Sequence, residues 1–493
     1  MSGKAREHWG SKTAFVLAAA GSAVGLGNIW KFPYIAHHNG GGKFVLIYLL
    51  CIVIVGLPVL VAEMMVGRAT QKSPVAAVEE LSGKGTPWAF IGYLGVAASF
   101  VVLSFYIVVA GWVMHYIVLA ATNTFAGMQP EQFGKTFSDL YVSPGLNIFW
   151  ATLFMAITYF VVKGGIKGGI ERTTNLLMPG LFVLLILILV WCVSLPNGAF
   201  NEAFKYLFMG KDEIEGAAVL EALGHSFFTL SLGMGAMLTY GSYLDNKVDL
   251  FKAGMWVAIL DTIIALVASM IIMSIMFGNP ENSFGKGPGL LFINLPQALV
   301  QMPGGYFVTL FFFVLVFFAA LTSAISLLEV AVAFLIDKGW DRKLATNVMA
   351  LSIWIVGIPS ALSASAAWKA IFGDVEGKTT FYERTTFFDK MDYLASNWML
   401  PIGGLAIALY VGFSLSSKLR NEQFHLGMNK NSALHFKPWE LFTRFVAPAV
   451  IILIIMIEAG VVKKDTVNHF FDQVLGQKSA VTQTEAKPAE SKK

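Results

Sequence analysis

Charge is scarce in this sequence. Asp, Glu, Lys and Arg supply 13% of its 493 residues, about half of the ~25% usual for a soluble chain. The net charge is only +4, so the basic excess that a nucleic-acid binder needs is missing. Cysteine is almost absent. Cys51 and Cys192 both sit inside apolar runs, which excludes a disulfide framework and reads them as small buried hydrophobes. There is no C-x-x-C or H-E-x-x-H string and no nucleophile–base arrangement, so neither a zinc site nor an enzyme is expected. Apolar side chains are what the chain has in excess. Hydrophobic residues make up 56%, and mean hydropathy is +0.66. With Gly counted and Tyr omitted the apolar share is roughly 63%, against ~45–50% for soluble domains. One water-solvated core cannot hide that much surface, so lipid must be the solvent for most of it.

A helix needs roughly 20 apolar residues to cross a bilayer. Eleven stretches qualify: 13–36, 42–66, 88–121, 146–162, 170–195, 217–243, 251–277, 304–336, 344–363, 393–415 and 439–460. The first has a basic start and small residues near Ala20, as a signal peptide does, but stays apolar beyond Ala23 and is read as retained. Loops on the side of the N-terminus hold 18 Lys and Arg, and the alternate loops hold nine. That bias places residues 1–12 in the cytoplasm of a cell whose inner (plasma) membrane the chain spans many times. Residues 462–493 are polar and poor in aromatics, and read as a disordered extracytoplasmic tail.

Two segments carry glycine clusters at mid-membrane depth: AAAGSAVGLGN at 18–28 and FFTLSLGMGAM at 227–237. Glycine lowers helix propensity and lets backbone approach a ligand. A break there frees carbonyls and amides that lipid cannot satisfy, so it must line a polar cavity. Tight packing through small residues is the alternative for either cluster alone. Their equivalent positions, opening segments 1 and 6 of two five-helix halves, favour a transport site. Polar groups flank them. Asn28 follows the first break, Thr229 and Ser231 the second, Thr322 and Ser323 sit together in segment 8, and Asp261 is at the centre of segment 7. Hydroxyls can simply bond their own helix. A mid-membrane carboxylate costs at least ~2.5 kcal/mol unless it has a task. Such oxygen donors suit hard cations.

Several ordered motifs together resemble the neurotransmitter:sodium symporter family, in particular its bacterial amino-acid transporters. They are REHW at 6–9, GSAVGLGNIWKFP at 21–33, NGGGKF at 39–44, KGGIERTTNLLMP at 167–179, FFTLSLGMG at 227–235, FFAALTSAIS at 317–326 and DKMDY at 389–393. The resemblance implies an all-α polytopic membrane protein with the LeuT-type five-plus-five inverted repeat. Residues 13–195 would hold helices 1–5 and residues 217–415 helices 6–10, with helices 1 and 6 discontinuous. Residues 439–460 would add an eleventh helix. It implies two sodium ions. One would be held by the Ala23 carbonyl, Asn28, Thr229, Asp261 and the substrate carboxylate. The other would be held by carbonyls of Gly21, Val24 and Ala319 and the hydroxyls of Thr322 and Ser323. The substrate carboxylate would meet the Leu26 and Gly27 amides and Tyr106, and its ammonium the oxygens of Ala23, Phe228, Thr229 and Ser231. Val102, Phe228, Met234, Ser326 and Leu327 would surround the side chain.

The same matching implies gates: Lys31 facing Asp392 on the outer side, with Tyr106 and Phe228 as a lid, and Arg6 facing Asp337 on the cytoplasmic side, near Trp9 and Tyr243. Gly169 and Pro179 would let helix 5 unwind. This chain has Lys31 where many relatives have Arg, and Asp261 where the leucine transporter has an amide. Met234 replaces an aromatic, and Ala265 stands where that transporter has Glu. The expected function is sodium-coupled symport of neutral, hydrophobic or aromatic L-amino acids by alternating access, independent of chloride, in a chain that could pair as a homodimer. The alternative is a non-transporting amino-acid sensor of the same fold.

Overall fold

The structure is a computed structural model that describes residues 6–195, 198–210, 216–279, 284–285, 287–366, 368, 386–428, 434–463, 465–468 and 470. Most of the tail expected to be unstructured, residues 471–493, lies outside them. The described residues are helical, without strands. The principal helices are α1 (Lys12–Ala23), α2 (Gly27–His38), α3 (Gly42–Thr70), α4 (Ala89–Ala121), α5 (Pro144–Lys163) and α6 (Ile166–Ser194). The second set is α7 (Gly216–Thr229), α8 (Ala236–Gly241), α9 (Leu250–Phe277), α10 (Gly305–Asp337), α11 (Arg342–Leu362), α12 (Phe387–Ser414) and α13 (Phe436–Glu458).

Nine of these described helices are each long and apolar enough to cross a bilayer, and α1 with α2 passes as a pair bent by 57°. The interrupted pair α7 and α8 fills the sixth predicted segment, so both expected discontinuities are present. Local chemistry sets several starts. Ser11 caps α1 by accepting from the Ala14 amide, Asp249 caps α9 through Lys252, and Asp341 caps α11 through Lys343. A cap oxygen satisfies amides that a helix start otherwise leaves open.

Burial separates the helices into an inner and an outer group. In their most apolar stretches α4, α9 and α10 are 72% buried, whereas α5 and α6 are 33% and α13 only 22% buried. Two inner helices, α9 and α10, pack on α1, as does α6 of the outer group. Gly67 of α3 lies so close to the Leu238 carbonyl of α8 that a Cβ would collide with backbone. The exposed apolar residues on the outer group, such as Phe160, Leu176 and Val190, are those lipid would cover.

Candidate functional site

At the first break α1 ends when Val24 turns to ψ 107°. The Gly25 amide then donates to Asn28 Oδ1 at 3.0 Å, which orients the Asn28 amide group. Its Nδ2 donates to Asp261 Oδ1 at 2.7 Å and to Thr229 Oγ1 at 3.1 Å, while Thr229 Oγ1 donates to Asp261 Oδ2 at 2.9 Å. Asn28, Thr229 and Asp261 come from three different helices, and Asp261 is fully buried. No cationic side chain is paired with it among the described residues. The carboxylate is held only by neutral donors.

The second break spans the residues between α7 and α8, with Ser231, Gly233 and Gly235 at φ 55°, 79° and 71°. These are left-handed values, which glycine adopts without penalty and serine only under constraint. The Ser231 hydroxyl supplies that constraint, because it donates to the Ser22 carbonyl at 2.8 Å and so ties the two breaks together. Glu63, buried in α3, accepts from the Gly233 amide at 2.7 Å, and Ser99 of α4 donates to the Met234 carbonyl at 2.6 Å. Freed backbone groups are thus answered from neighbouring helices, as membrane depth requires.

Gly21, Val24, Ala319, Thr322 and Ser323 also come together. Ser323 Oγ lies 3.0 Å from the Val24 carbonyl and 3.4 Å from that of Gly21. Thr322 Oγ1 instead bonds Phe318 and Ala319 of its own helix, at 3.0 and 3.1 Å. So one hydroxyl bridges α10 to the first break and the other is satisfied locally.

A cavity of about 750 Å3 opens between the breaks, within the range of small-molecule sites. Ala23, Leu26, Gly27, Val102, Tyr106, Phe228, Thr229, Ser231, Met234 and Leu327 all line it. Ser326 does not. It accepts from Ser22 at 2.7 Å and donates to the Ser323 carbonyl at 2.8 Å, a position beside the wall. The Tyr106 hydroxyl is buried without a hydrogen-bond partner and lies near Gly25, an unmet donor aimed at the first break.

The two ends of the cavity differ. On the side of the N-terminus Arg6 pairs with Asp337 at 2.7 Å, donates to Ser242 at 2.8 Å and stacks over Tyr243 at 4.8 Å. Trp9 Nε1 donates to the Tyr240 carbonyl. On the opposite side Lys31 and Asp392 line the same cavity but form no ion pair. Lys31 Nζ lies 4.9 Å from the Phe228 ring centre, and Asp392 accepts from Ser396. Gly169 falls in the π-helical first turn of α6, packed on the Val161 carbonyl, and Pro179 lies within the helix. The start of α6 is strapped to the N-terminal segment: the Ile166 amide donates to Glu7, and the Gly10 amide to Glu171.

Several residues escaped the sequence reading. Glu63 bridges to the second break, and Ser22 and Ser99 bond its neighbours. Glu329, fully buried, accepts from Tyr243 at 2.6 Å and pairs with Arg342 at 2.8 Å. Glu63 and Glu329 are carboxylates within apolar segments, so the argument that singled out Asp261 would have found them.

The profile described as the sodium:neurotransmitter symporter family matches residues 6–138 and 136–478. An uncharacterised sodium-dependent transporter of Bacillus subtilis (strain 168) is 38% identical over 92% of this chain and 98% of its own length. One from Haemophilus influenzae is 33% identical, also over 92% and 98%. The crystal structure of MhsT in complex with L-phenylalanine superposes with a TM-score of 0.81 at 38% identity, covering 92% of this chain and all of that one. Together with a cavity walled by two helix breaks, these likenesses place the chain in the sodium:neurotransmitter symporter family, as a sodium-dependent membrane transporter.

Proposed function

We propose that the protein takes up neutral amino acids with hydrophobic or aromatic side chains, driven by two sodium ions and without chloride. The observation that carries this is the cluster of oxygen-bearing side chains and carbonyls at the breaks. Asp261, Asn28, Thr229 and the Ala23 carbonyl offer one alkali-cation site, and the carbonyls of Gly21, Val24 and Ala319 with Thr322 and Ser323 offer another. The Leu26 and Gly27 amides, at the start of α2, and the unmet Tyr106 hydroxyl suit a carboxylate, while carbonyls at both breaks suit an ammonium. The bound L-phenylalanine of MhsT supports an apolar side-chain pocket. Met234 in the wall can repack around ligands of different size, because a thioether is flexible. Uptake would run from the outside to a cytoplasm that holds the N-terminus, across the cell's inner (plasma) membrane. Ion and substrate share ligands, so each stabilises the other's site.

Chloride independence follows from where negative charge sits. Two sodium ions beside a zwitterion leave excess positive charge in a poorly solvated place. Asp261 supplies a fixed carboxylate inside the first ion site, and the position one turn on is the buried Ala265. The test is uptake of labelled phenylalanine into proteoliposomes under a sodium gradient, with the twenty amino acids as competitors and gluconate replacing chloride. Broad competition by apolar and aromatic residues, unchanged in gluconate, is expected. Competition by glycine and alanine alone would overturn the pocket reading, and a large loss in gluconate would overturn the role of Asp261.

A further inference from the structure

A second, smaller cavity of about 250 Å3 lies behind α7, walled by α12 and α13. It shares Lys31, Glu221, Gly224 and Phe228 with the substrate cavity, so those residues form the partition between the two. Its charged groups are Lys31, Glu221 and Glu458. Glu221 is already engaged, accepting from Asn39 Nδ2 at 2.8 Å. Glu458 is different. It is the last residue of α13, where the negative end of the helix dipole disfavours a carboxylate that has no cation nearby. Among the described residues no hydrogen bond or ion pair holds it. Among the described residues Lys31, half-buried, is held only by the Phe228 ring. It faces Asp389 and Asp392 in the substrate cavity, Glu458 in the second and Glu221 in both. With Asp389 bonded to Thr386 and Glu221 to Asn39, Asp392 and Glu458 are the two carboxylates it can choose between.

Resting on the proposed transport function and on the outer gate that the family resemblance implies, we propose that Lys31 is a two-position cation. It pairs with Asp392 when the substrate cavity closes and turns toward Glu458 when it opens, so that α13 takes part in gating. Lysine suits this task. A compact ammonium on a flexible four-carbon stem can change partners, whereas the planar guanidinium of arginine favours one bidentate carboxylate. The Phe228 ring supports the ammonium on the way. Glu458 is a positioning residue: it never touches the substrate and acts through Lys31.

The test uses the full chain in proteoliposomes, with a cysteine introduced at Val109 in the wall of the substrate cavity and labelled by an impermeant maleimide. Removing the parked partner with Glu458→Gln should leave Lys31 to Asp392, lowering the labelling rate about two- to five-fold, the range of a half-exposed ion pair. Glu458→Lys should go further the same way, and its charge favours the helix end, so poor folding of the Gln variant does not decide the matter. In a Lys31→Gln background neither variant should change labelling. A rate unaffected by Glu458→Lys, or lowered equally in that background, would overturn the proposal. Asp392→Asn separates the two readings. If it fails to raise labelling with sodium and substrate present, the gate itself is wrong; if it succeeds while Glu458 variants are silent, only the second position falls.

Discussion

On the side of the N-terminus the cavity is closed by bonded charge. Arg6 with Asp337, Arg342 with Glu329 and Glu7, Tyr243 donating to Glu329, and Trp9 donating to the Tyr240 carbonyl join the N-terminal segment to α8, α10 and α11. On the opposite side Lys31 and Asp392 border open space without touching. The contrast separates two kinds of ion pair. Buried pairs cannot be broken singly without stranding a charge, whereas exposed ones are worth ~0.2–1 kcal/mol and exchange easily. A transporter needs both ends to open, so the sealed end is where opening must cost most and where ligand-driven coupling must act.

Breaking the sealed end at its most buried member should have the largest effect. Glu329→Ala strands Arg342, which keeps a long 3.3 Å bond to the Val162 carbonyl and a 3.8 Å approach to the half-exposed Glu7. The cost is expected at about 3–5 kcal/mol, read as a marked fall in the thermal transition of the purified protein and loss of uptake. Glu329→Gln keeps the Tyr243 hydrogen bond and should lie between. A transition equal to the parent would mean that water satisfies Arg342 and that this end is looser than its geometry implies.

Asp337→Ala should act next most strongly. It removes the Arg6 partner and the oxygen that accepts from the Ser73 amide, at a half-exposed position. A shift of ~1.4 kcal/mol toward the state open on this side would lower uptake about tenfold. Cysteines placed near Tyr243 should then label faster from the N-terminal side. Labelling equal to the parent would show that the Arg342 cluster holds this end closed by itself.

How much of this was legible in the sequence follows the same division. The helices were, because apolar runs of fixed length have few alternatives in lipid. So were both breaks, since glycine clusters at mid-depth leave a visible gap in propensity. Asp261 stood out as a carboxylate with no cheap explanation. Glu63 and Glu329 carry the same signal, a carboxylate within an apolar segment, while the partners that define their tasks, the Gly233 amide and Arg342, are visible only in the fold. Ser22 carries no signal at all, and Ser326 enters only through the family resemblance, as a pocket residue and not as the partner of Ser22. A serine in an apolar helix bonds its own turn by default, and only the meeting of α1 with α10 makes the two hydroxyls face one another.

Weakening the open end should have smaller consequences. Lys31→Gln removes the closing charge, and apparent substrate affinity is expected to fall about two- to five-fold, in line with an exposed pair. Turnover should fall less, because closing would still be driven by burial of Phe228 over the substrate. Equilibrium binding of labelled phenylalanine beside initial-rate uptake makes the check. An unchanged affinity would place the outer barrier entirely in the aromatic lid.

The smallest expected effect is also the sharpest test of why this end carries lysine. Lys31→Arg preserves the charge and the contact with the Phe228 face, so a gate that needs only positive charge would not respond. A guanidinium, however, matches the Asp392 carboxylate with two parallel bonds. It should hold the closed form longer. Apparent affinity is then expected to rise about two-fold while turnover falls by a similar factor, leaving kcat/KM nearly constant. That parallel fall of KM and kcat is the signature of a stabilised intermediate, since the barrier to entry is untouched and the barrier to reopening grows. If both constants stay at their parent values, Asp392 does not meet residue 31 in the closed form, and the looseness of this end reflects the absence of a gate pair.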